Sequence, residues 1–348
     1  MRLGALPVYR LALLAAAALL VTHAGAQSRA AHPAAAAASA VRFGILPIGG
    51  VVESRENWVP LLTAMGKSIN RKVAVLSVPN YEALEQAIRN NEVDMAMLSG
   101  KLALNAVAQG PMNVVAEVMR TRESPGHRAV LLTRKAGPLN SLDALLAQPE
   151  HWRLARGDNR SLTGFLLPQL RVFLPNRIVM ETRFKSELID NHQNTALAVA
   201  NGNADVATNN TTDFERFRRN FPTEAEKLHV VWESDATPPV QIVVRRDMAA
   251  EQHSRIQAFL TRYGRGAKPA GDAEREVLQA LHSAHGYIAA DNTSLLPVAD
   301  LEHQLEKQRA QSAKWVDTAA LDARLQRIEQ NHAKTIALLR RSSPSVGK

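Results

Sequence analysis

The chain has 348 residues, with 42 Lys and Arg against 33 Asp and Glu for a formal charge of +9, and 46% of its residues are hydrophobic. It has no Cys, which excludes disulfides, thiol nucleophiles, Cys metal sites and a lipid-modified cysteine anchor. Its length suggests two lobes rather than one, and its basic surplus reads either as a solvated surface or as a mild bias toward anionic ligands.

Residues 1–26 read as a secretory signal peptide: Arg2 and Arg10 form a basic start, residues 11–21 an apolar core too short to span a bilayer comfortably, and Ala24-Gly25-Ala26 a small-residue cleavage site. This predicts a cleaved leader and a soluble protein of the periplasm. No nucleic-acid motif is visible, and no nucleic-acid partner is expected. The Ala-rich stretch 27–40 is of low complexity and is expected to be a disordered lead-in.

From Val41 the chain alternates strands and helices. Strands are predicted over 41–50, 72–79, 93–100 and 113–120, with helices over 56–69, 81–91 and 102–109 between them. Such alternation gives a mainly parallel α/β sheet, and ligands sit beyond the carboxyl ends of its strands. Those ends include Ser99, and Tyr81 opens a helix just past the second. As a lone aromatic, Tyr81 reads either as a half-buried packing residue or as a hydroxyl donor to a cleft. Trp58 reads as a core aromatic.

Further strands are predicted over 127–135, 152–158, 178–184, 204–210, 228–234 and 239–248. Helices are expected over 142–146, capped by Asn140 or Ser141, and over 194–201 and 214–220. The densest signal is the stretch 156–210. There a strand ends, Ser161 stands at an N-cap position, Leu162, Thr163 and Gly164 follow, and Phe165, Leu166, Leu167 and Leu170 give an apolar helical face. Pro168 falls in or just past the first turn, where a missing N–H is tolerated. A helix start of this kind offers free N–H groups and a partial positive charge to an anion, and it is also what any capped helix looks like. His192 and Asp205 each carry two readings. His192 is a packing residue or an anion donor, and Asp205 is a strand residue bonded to backbone or a pocket carboxylate.

Taken together, these residues resemble the phosphate/phosphite/phosphonate-binding proteins of ABC importers. The resemblance rests on Ser161-Leu162-Thr163-Gly164-Phe165, Pro168, His192 and Gly202-Asn203-Ala204-Asp205-Val206-Ala207. In the first half it rests on Gly44-Ile45-Leu46-Pro47, Trp58-Val59-Pro60-Leu61, Tyr81, Ala87, Val93-Asp94 and Ala96. It covers about residues 41–290. It implies a two-lobed type II periplasmic binding fold, a clamshell with C-terminal helices. Lobe 1 would comprise 41–130 plus 245–290, lobe 2 would comprise 131–244, a helical tail would follow over 291–348, and hinges would lie near 131–134 and 241–244. It implies an oxyanion held by Tyr81, Ser99, Ser161, Leu162, Thr163, Gly164 and His192, with Asp205 at the pocket. Two departures stand out. Leu162 replaces a hydroxyl residue of the loop and keeps only its N–H, and Leu104 stands where a ligand-facing Tyr is usual.

The tail reads as two polar amphipathic helices, the second with Leu321, Leu325, Ile328, His332 and Ile336 on one side, expected to pack on the first lobe or to bind a partner. There is no G-x-S-x-G, H-E-x-x-H or P-loop, and the His residues are scattered. The resemblance thus implies a monomeric solute-binding protein, not an enzyme, with no cofactor and no metal. It would capture a phosphorus oxyanion, whether phosphonate, phosphite or phosphate, for an ABC permease of the inner membrane. The alternative is a periplasmic sensor that signals to a membrane partner, for this or another small anion.

Overall fold

The computed structural model describes residues 40–46, 51–121 and 126–341, without the side chains of Val51 and Val52. The expected leader, the lead-in through residue 39 and Pro47 lie outside the described residues.

The first half runs β1 (Val41–Ile45), α1 (Val51–Ile69), β2 (Val73–Ser77), α2 (Tyr81–Arg89), β3 (Met95–Leu98), α3 (Gly100–Ala108) and β4 (Met112–Val118). The chain then crosses to β5 (Arg128–Arg134), α4 (Leu142–Ala147), β6 (Arg153–Arg156), α5 (Met180–Arg183), β7 (Ser186–Ile189), α6 (His192–Ala200), β8 (Val206–Asn210), α7 (Thr211–Asn220), α8 (Pro222–Ala225) and β9 (Leu228–Ala236). It returns through β10 (Gln241–Arg245), α9 (Ala250–Arg262), α10 (Ala270–Ala280) and β11 (Tyr287–Ala289), and ends in α11 (Leu296–Ser312) and α12 (Thr318–Arg341).

Two sheets result. One has six strands in the order β11-β4-β10-β3-β1-β2, and the other five in the order β7-β6-β8-β5-β9. In each, three parallel strands form one side (β2-β1-β3 and β7-β6-β8), while the strands beyond them pair antiparallel. Each sheet is buried on both faces by helices, which is why β1, β4, β5 and β8 are nearly continuous runs of buried residues.

The same ion pair closes both parallel halves. Asp94, just before β3, accepts from the Arg42 backbone N–H at 2.8 Å and from Arg42 Nε and Nη2 at 2.9 Å. Asp205, just before β8, accepts from the Arg153 N–H at 2.8 Å, from Nε at 3.0 Å and from Nη2 at 2.8 Å. Both pairs are 52 residues apart in sequence. Burial alone would raise each carboxyl, but the paired arginine outweighs it and holds both below the ordinary Asp range.

The structure departs from the sequence reading in four places. The strand expected over 178–184 is a helical turn, α5, and the strand follows it at β7. The reason is Gln169: its Nε2 donates to Ile178 O at 2.9 Å and its Oε1 accepts from Met180 N at 2.8 Å, taking the backbone groups that a ladder would need. The short strand β11, on the edge of β4, was not expected. The crossings between the sheets lie between Val118 and Arg128 and between Ala236 and Gln241. The hinges expected near 131–134 and 241–244 therefore fall inside paired strands: Leu131 opposes Thr208 and Trp232, and Gln241 opposes Leu98 and Glu117. Finally, α11 does not pack on the first lobe alone. Val298 and Ala299 join the core around α3, while Leu301 and Leu305 join the core of the second sheet. Lys101–Glu302 (2.9 Å) and Arg309–Glu181 (2.5 Å) repeat this division in charge.

The clamp at β6 and β8 makes a direct prediction. Asp205→Ala removes three charge-assisted bonds and strands the Arg153 N–H, and should cost about 1–3 kcal/mol of stability. Urea unfolding measures this, and an unchanged midpoint would show the clamp to be idle.

Candidate functional site

The anion loop begins where β6 ends. Arg156, 2% exposed, donates from Nη1 to Gly157 O at 2.8 Å and to Asn159 Oδ1 at 2.6 Å, and its guanidinium lies over the Phe165 ring. This folds residues 157–160 into a tight turn, sealed by Ser161 N donating to Asp158 O at 2.8 Å. Gly157 and Gly164 then meet backbone to backbone. A Cβ on Gly164 would lie 2.7 Å from Gly157 Cα and 2.9 Å from Ser161 Oγ.

The helix that starts at Ser161 opens with a wide turn, in which Leu166 N donates to Ser161 O at 3.1 Å. Pro168 explains the width. It has no N–H to offer the Gly164 carbonyl one turn back. That carbonyl instead accepts from Thr208 Oγ1 at 2.8 Å and from Gly157 N at 3.2 Å, which ties the loop to β8 and β6.

Ser161 Oγ accepts from Gly164 N at 3.0 Å, so the cap uses its lone pair and leaves its O–H free to donate. Gly164 is therefore a spacer behind the loop. Its N–H is spent on Ser161, and it does not reach the cleft.

The ends of β1, β3, β6, β7 and β8 surround a single cleft of about 730 Å³. Of the residues singled out from sequence, Tyr81, Ser99, Ser161, Leu162, Thr163 and His192 line it. Asp205 does not, because its clamp with Arg153 holds it at the far end of β8. Leu104 does not either; it is buried in the first-lobe core, 8% exposed, so the missing Tyr at that position leaves no apolar surface in the cleft.

Five N-cap residues face this space: Asn80 of α2, Ser99 of α3, Ser161, Asn191 of α6 and Asn210 of α7. Each brings the positive end of a helix, and the convergence favours an anion. Tyr81 and His192 hold the same place in their halves, the first helical residue after a capping Asn. Burial pushes the Tyr81 hydroxyl up to about 12; the neighbouring Ser161 hydroxyl opposes this, and Asp213 and Asp158 add to it. It is a neutral donor throughout the physiological range. His192 Nε2 lies 3.3 Å from Thr163 Oγ1, and its buried Nδ1 has no partner. Burial lowers its pKa; Asp213 resists this and Arg216 reinforces it.

Across the cleft the lobes already touch. Arg160 Nε donates to Glu85 Oε2 of α2 at 2.7 Å. Gly100, at φ +57°, leaves room for Leu162, whose Cβ lies 2.9 Å from where a Gly100 Cβ would be. Sequence reasoning missed several lining residues: Arg120, His127, Asp213, Arg216 and His282. Asn210 hinted at two of them, since a cap at a strand end places the first turns of α7, and so Asp213 and Arg216, at the cleft. His127 and His282 lie in connections, where no periodicity marks them. Among the described residues no group of three His, Asp or Glu side chains is placed to hold a metal ion.

Two α/β sheets, strand ends facing one cleft, and C-terminal helices define a type II periplasmic binding protein. The sequence pattern of the ABC transporter phosphonate periplasmic substrate-binding proteins matches residues 43–295, and the chain belongs to that family. It is 32% identical over 278 residues to the phosphonates-binding periplasmic protein of Escherichia coli K12, covering 80% of each. Its fold is similar to that of a binding protein component of an ABC phosphonate transporter from Pseudomonas aeruginosa, with TM-score 0.79, 28% identity, 87% of this chain and 98% of that one. It is also similar to the fold of PhnD1 from Prochlorococcus marinus in complex with methylphosphonate, with TM-score 0.66, 18% identity, 76% of this chain and 98% of that one.

The buried histidines set a pH dependence for the ligand-free protein. His127 and His282 are both pushed down to about 4, first by burial, then for His282 by Arg216. As pH falls below about 6.5 the unfolded chain takes up protons that the folded chain refuses, so stability should fall from there toward pH 4 and recover as pH rises. Thermal melts across that window should show the slope, and His127→Gln should flatten it. A variant slope equal to wild type would place the acid sensitivity elsewhere.

Proposed function

We propose that this protein captures a phosphonate in the interlobe cleft, in the periplasm, and hands it as a monomer to an ABC permease of the inner membrane. A cleaved leader over residues 1–26 takes it there. The observation that carries the reading is the meeting of the capped helix starts at Ser161, Asn191 and Asn80 around one space, with hydroxyl and imidazole donors from both sheets. Ser161 and Thr163 hydroxyls, the N–H groups of Leu162 and Thr163, and Ser99 donate to the phosphonate oxygens, and Tyr81 and His192 reach them from opposite sides. The protein works as a binder and catalyses no reaction. Lobe 1 holds the six-stranded sheet and lobe 2 the five-stranded one, with hinges at the two crossings.

Calorimetry with methylphosphonate tests this. Ser161→Ala combined with Thr163→Ala should weaken binding by about 1–3 kcal/mol per lost donor, and wild-type affinity in that protein would remove the loop from the site.

The second test uses pH. A bound anion raises the His192 pKa from its depressed value in the free protein, so between the two values the complex holds more protons and affinity strengthens as pH falls. The ligand titrates too, with a second pKa near ~6 for phosphate-type groups. His192→Gln keeps a donor but cannot titrate, so its profile should retain only the ligand's part. Tyr81→Phe should weaken binding equally at every pH. Profiles of both variants that overlay wild type would refute an interlobe site.

A further inference from the structure

The anion loop occupies one part of a cleft of about 730 Å³, far more than a phosphonate headgroup fills. Beyond it the walls carry Arg120, His127, Asp213, Arg216 and His282. We propose that this half of the cleft binds a carboxylate on the ligand's organic substituent, so that the preferred substrates are phosphonocarboxylates. The proposal rests on the phosphonate reading and narrows it.

Arg120 is the main reason. Its guanidinium donates to Thr237 O and stands against the backbone of Gly126, and among the described residues no carboxylate forms an ion pair with it. Burial holds its pKa below the ordinary Arg value, and the nearby Glu117 carboxylate opposes this. A half-buried cation with no ion pair among the described residues is costly, and a ligand carboxylate supplies a direct one in a bidentate geometry. Arg216 adds a second cation to this wall, loosely paired with Asp213. Its Nε donates to His282 Nε2 at 2.9 Å, which requires a neutral imidazole there, and its Nη1 lies 3.5 Å from Asp213 Oδ1.

Each acid of the cleft already accepts a hydrogen bond. Asp213 accepts from Asn210 Nδ2 at 2.7 Å; burial would raise its pKa, but its neighbours, Arg216 among them, outweigh this and hold it below the ordinary Asp range. Asp158 is gripped by Arg160, with both oxygens 3.1 Å from Nη1. Asp190 accepts from Asn191 N at 2.7 Å and from Asn194 Nδ2 at 3.0 Å. Glu82 lies in the first turn of α2, 3.5 Å from Gln86 Nε2. An ammonium group entering this half meets the Arg120 guanidinium and carboxylates that already accept hydrogen bonds. The cleft thus discriminates by charge at the substituent as well as at the headgroup.

Calorimetry on the mature protein at neutral pH decides the matter with three ligands: methylphosphonate, phosphonoacetate and 2-aminoethylphosphonate. Phosphonoacetate should bind about 10-fold or more tightly than methylphosphonate, the gain of one charge-assisted contact, and 2-aminoethylphosphonate should be the weakest. The affinity ratio of phosphonoacetate to methylphosphonate should fall toward one in Arg120→Gln, whatever loss both ligands share. A wild-type ratio of one or less, a ratio unmoved by Arg120→Gln, or tightest binding of 2-aminoethylphosphonate would overturn the proposal while leaving the phosphonate reading intact. No heat with any of the three, in a protein whose melt is cooperative, would sink both.

Discussion

The Gly164 carbonyl is the joint on which the site depends. Pro168 deprives it of a helical partner, and it is satisfied by Thr208 Oγ1 and the Gly157 N–H instead. That exchange fixes the helix start against two strands at once, and it works only because neither glycine has a Cβ to keep the backbones apart. Everything the loop does follows from this position. Ser161 caps with its lone pair, and Thr163 comes within reach of His192. A site held by backbone contact on rigid strands spends little free energy on ordering when an anion arrives.

The sequence carried much of this, for identifiable reasons. Apolar strands alternating with periodic helices made the α/β class readable, and the loop was readable because Ser, Gly and Pro each do something there that few other residues can. What failed did so through contacts remote in sequence. Nothing near residues 178–184 reveals that Gln169 will take their backbone groups. Leu104 and Asp205 were placed by motif position, yet one faces the core and the other faces Arg153, and facing is decided by the packing of neighbours. The basic wall of Arg120 and Arg216 was invisible because its parts come from a connection and a polar helix. Only the cleft brings them together.

The long helix α11 changes how motion should be pictured. It contributes Val298 and Ala299 to one core and Leu301 and Leu305 to the other, so a single helix is anchored in both halves. Opening the cleft must rotate the lobes about this helix or peel one set of contacts from it. On the same side as this helix, the Arg160–Glu85 pair is a cheap contact to make and break, since it is partly solvated and Glu85 keeps Asn105 and Arg89 as partners.

The two arginine–aspartate clamps mark a repeated arrangement. Their equal spacing is not isolated. At matching distances from Arg42 and Arg153 stand the caps Asn80 and Asn191, the donors Tyr81 and His192, and the left-handed residues Asn91 and Gly202. A βαβαβ arrangement thus occurs twice with these landmarks in step, although the middle strand is offset by one residue: Ala74 opposes Arg42, 32 residues on, and Ser186 opposes Arg153, 33 residues on. The cleft then lies between two copies of one arrangement, each bringing a strand end and an Asn-capped helix to it. The residue after the cap differs, a phenol in one copy and an imidazole in the other, so a repeated backbone carries two different donors to one cleft.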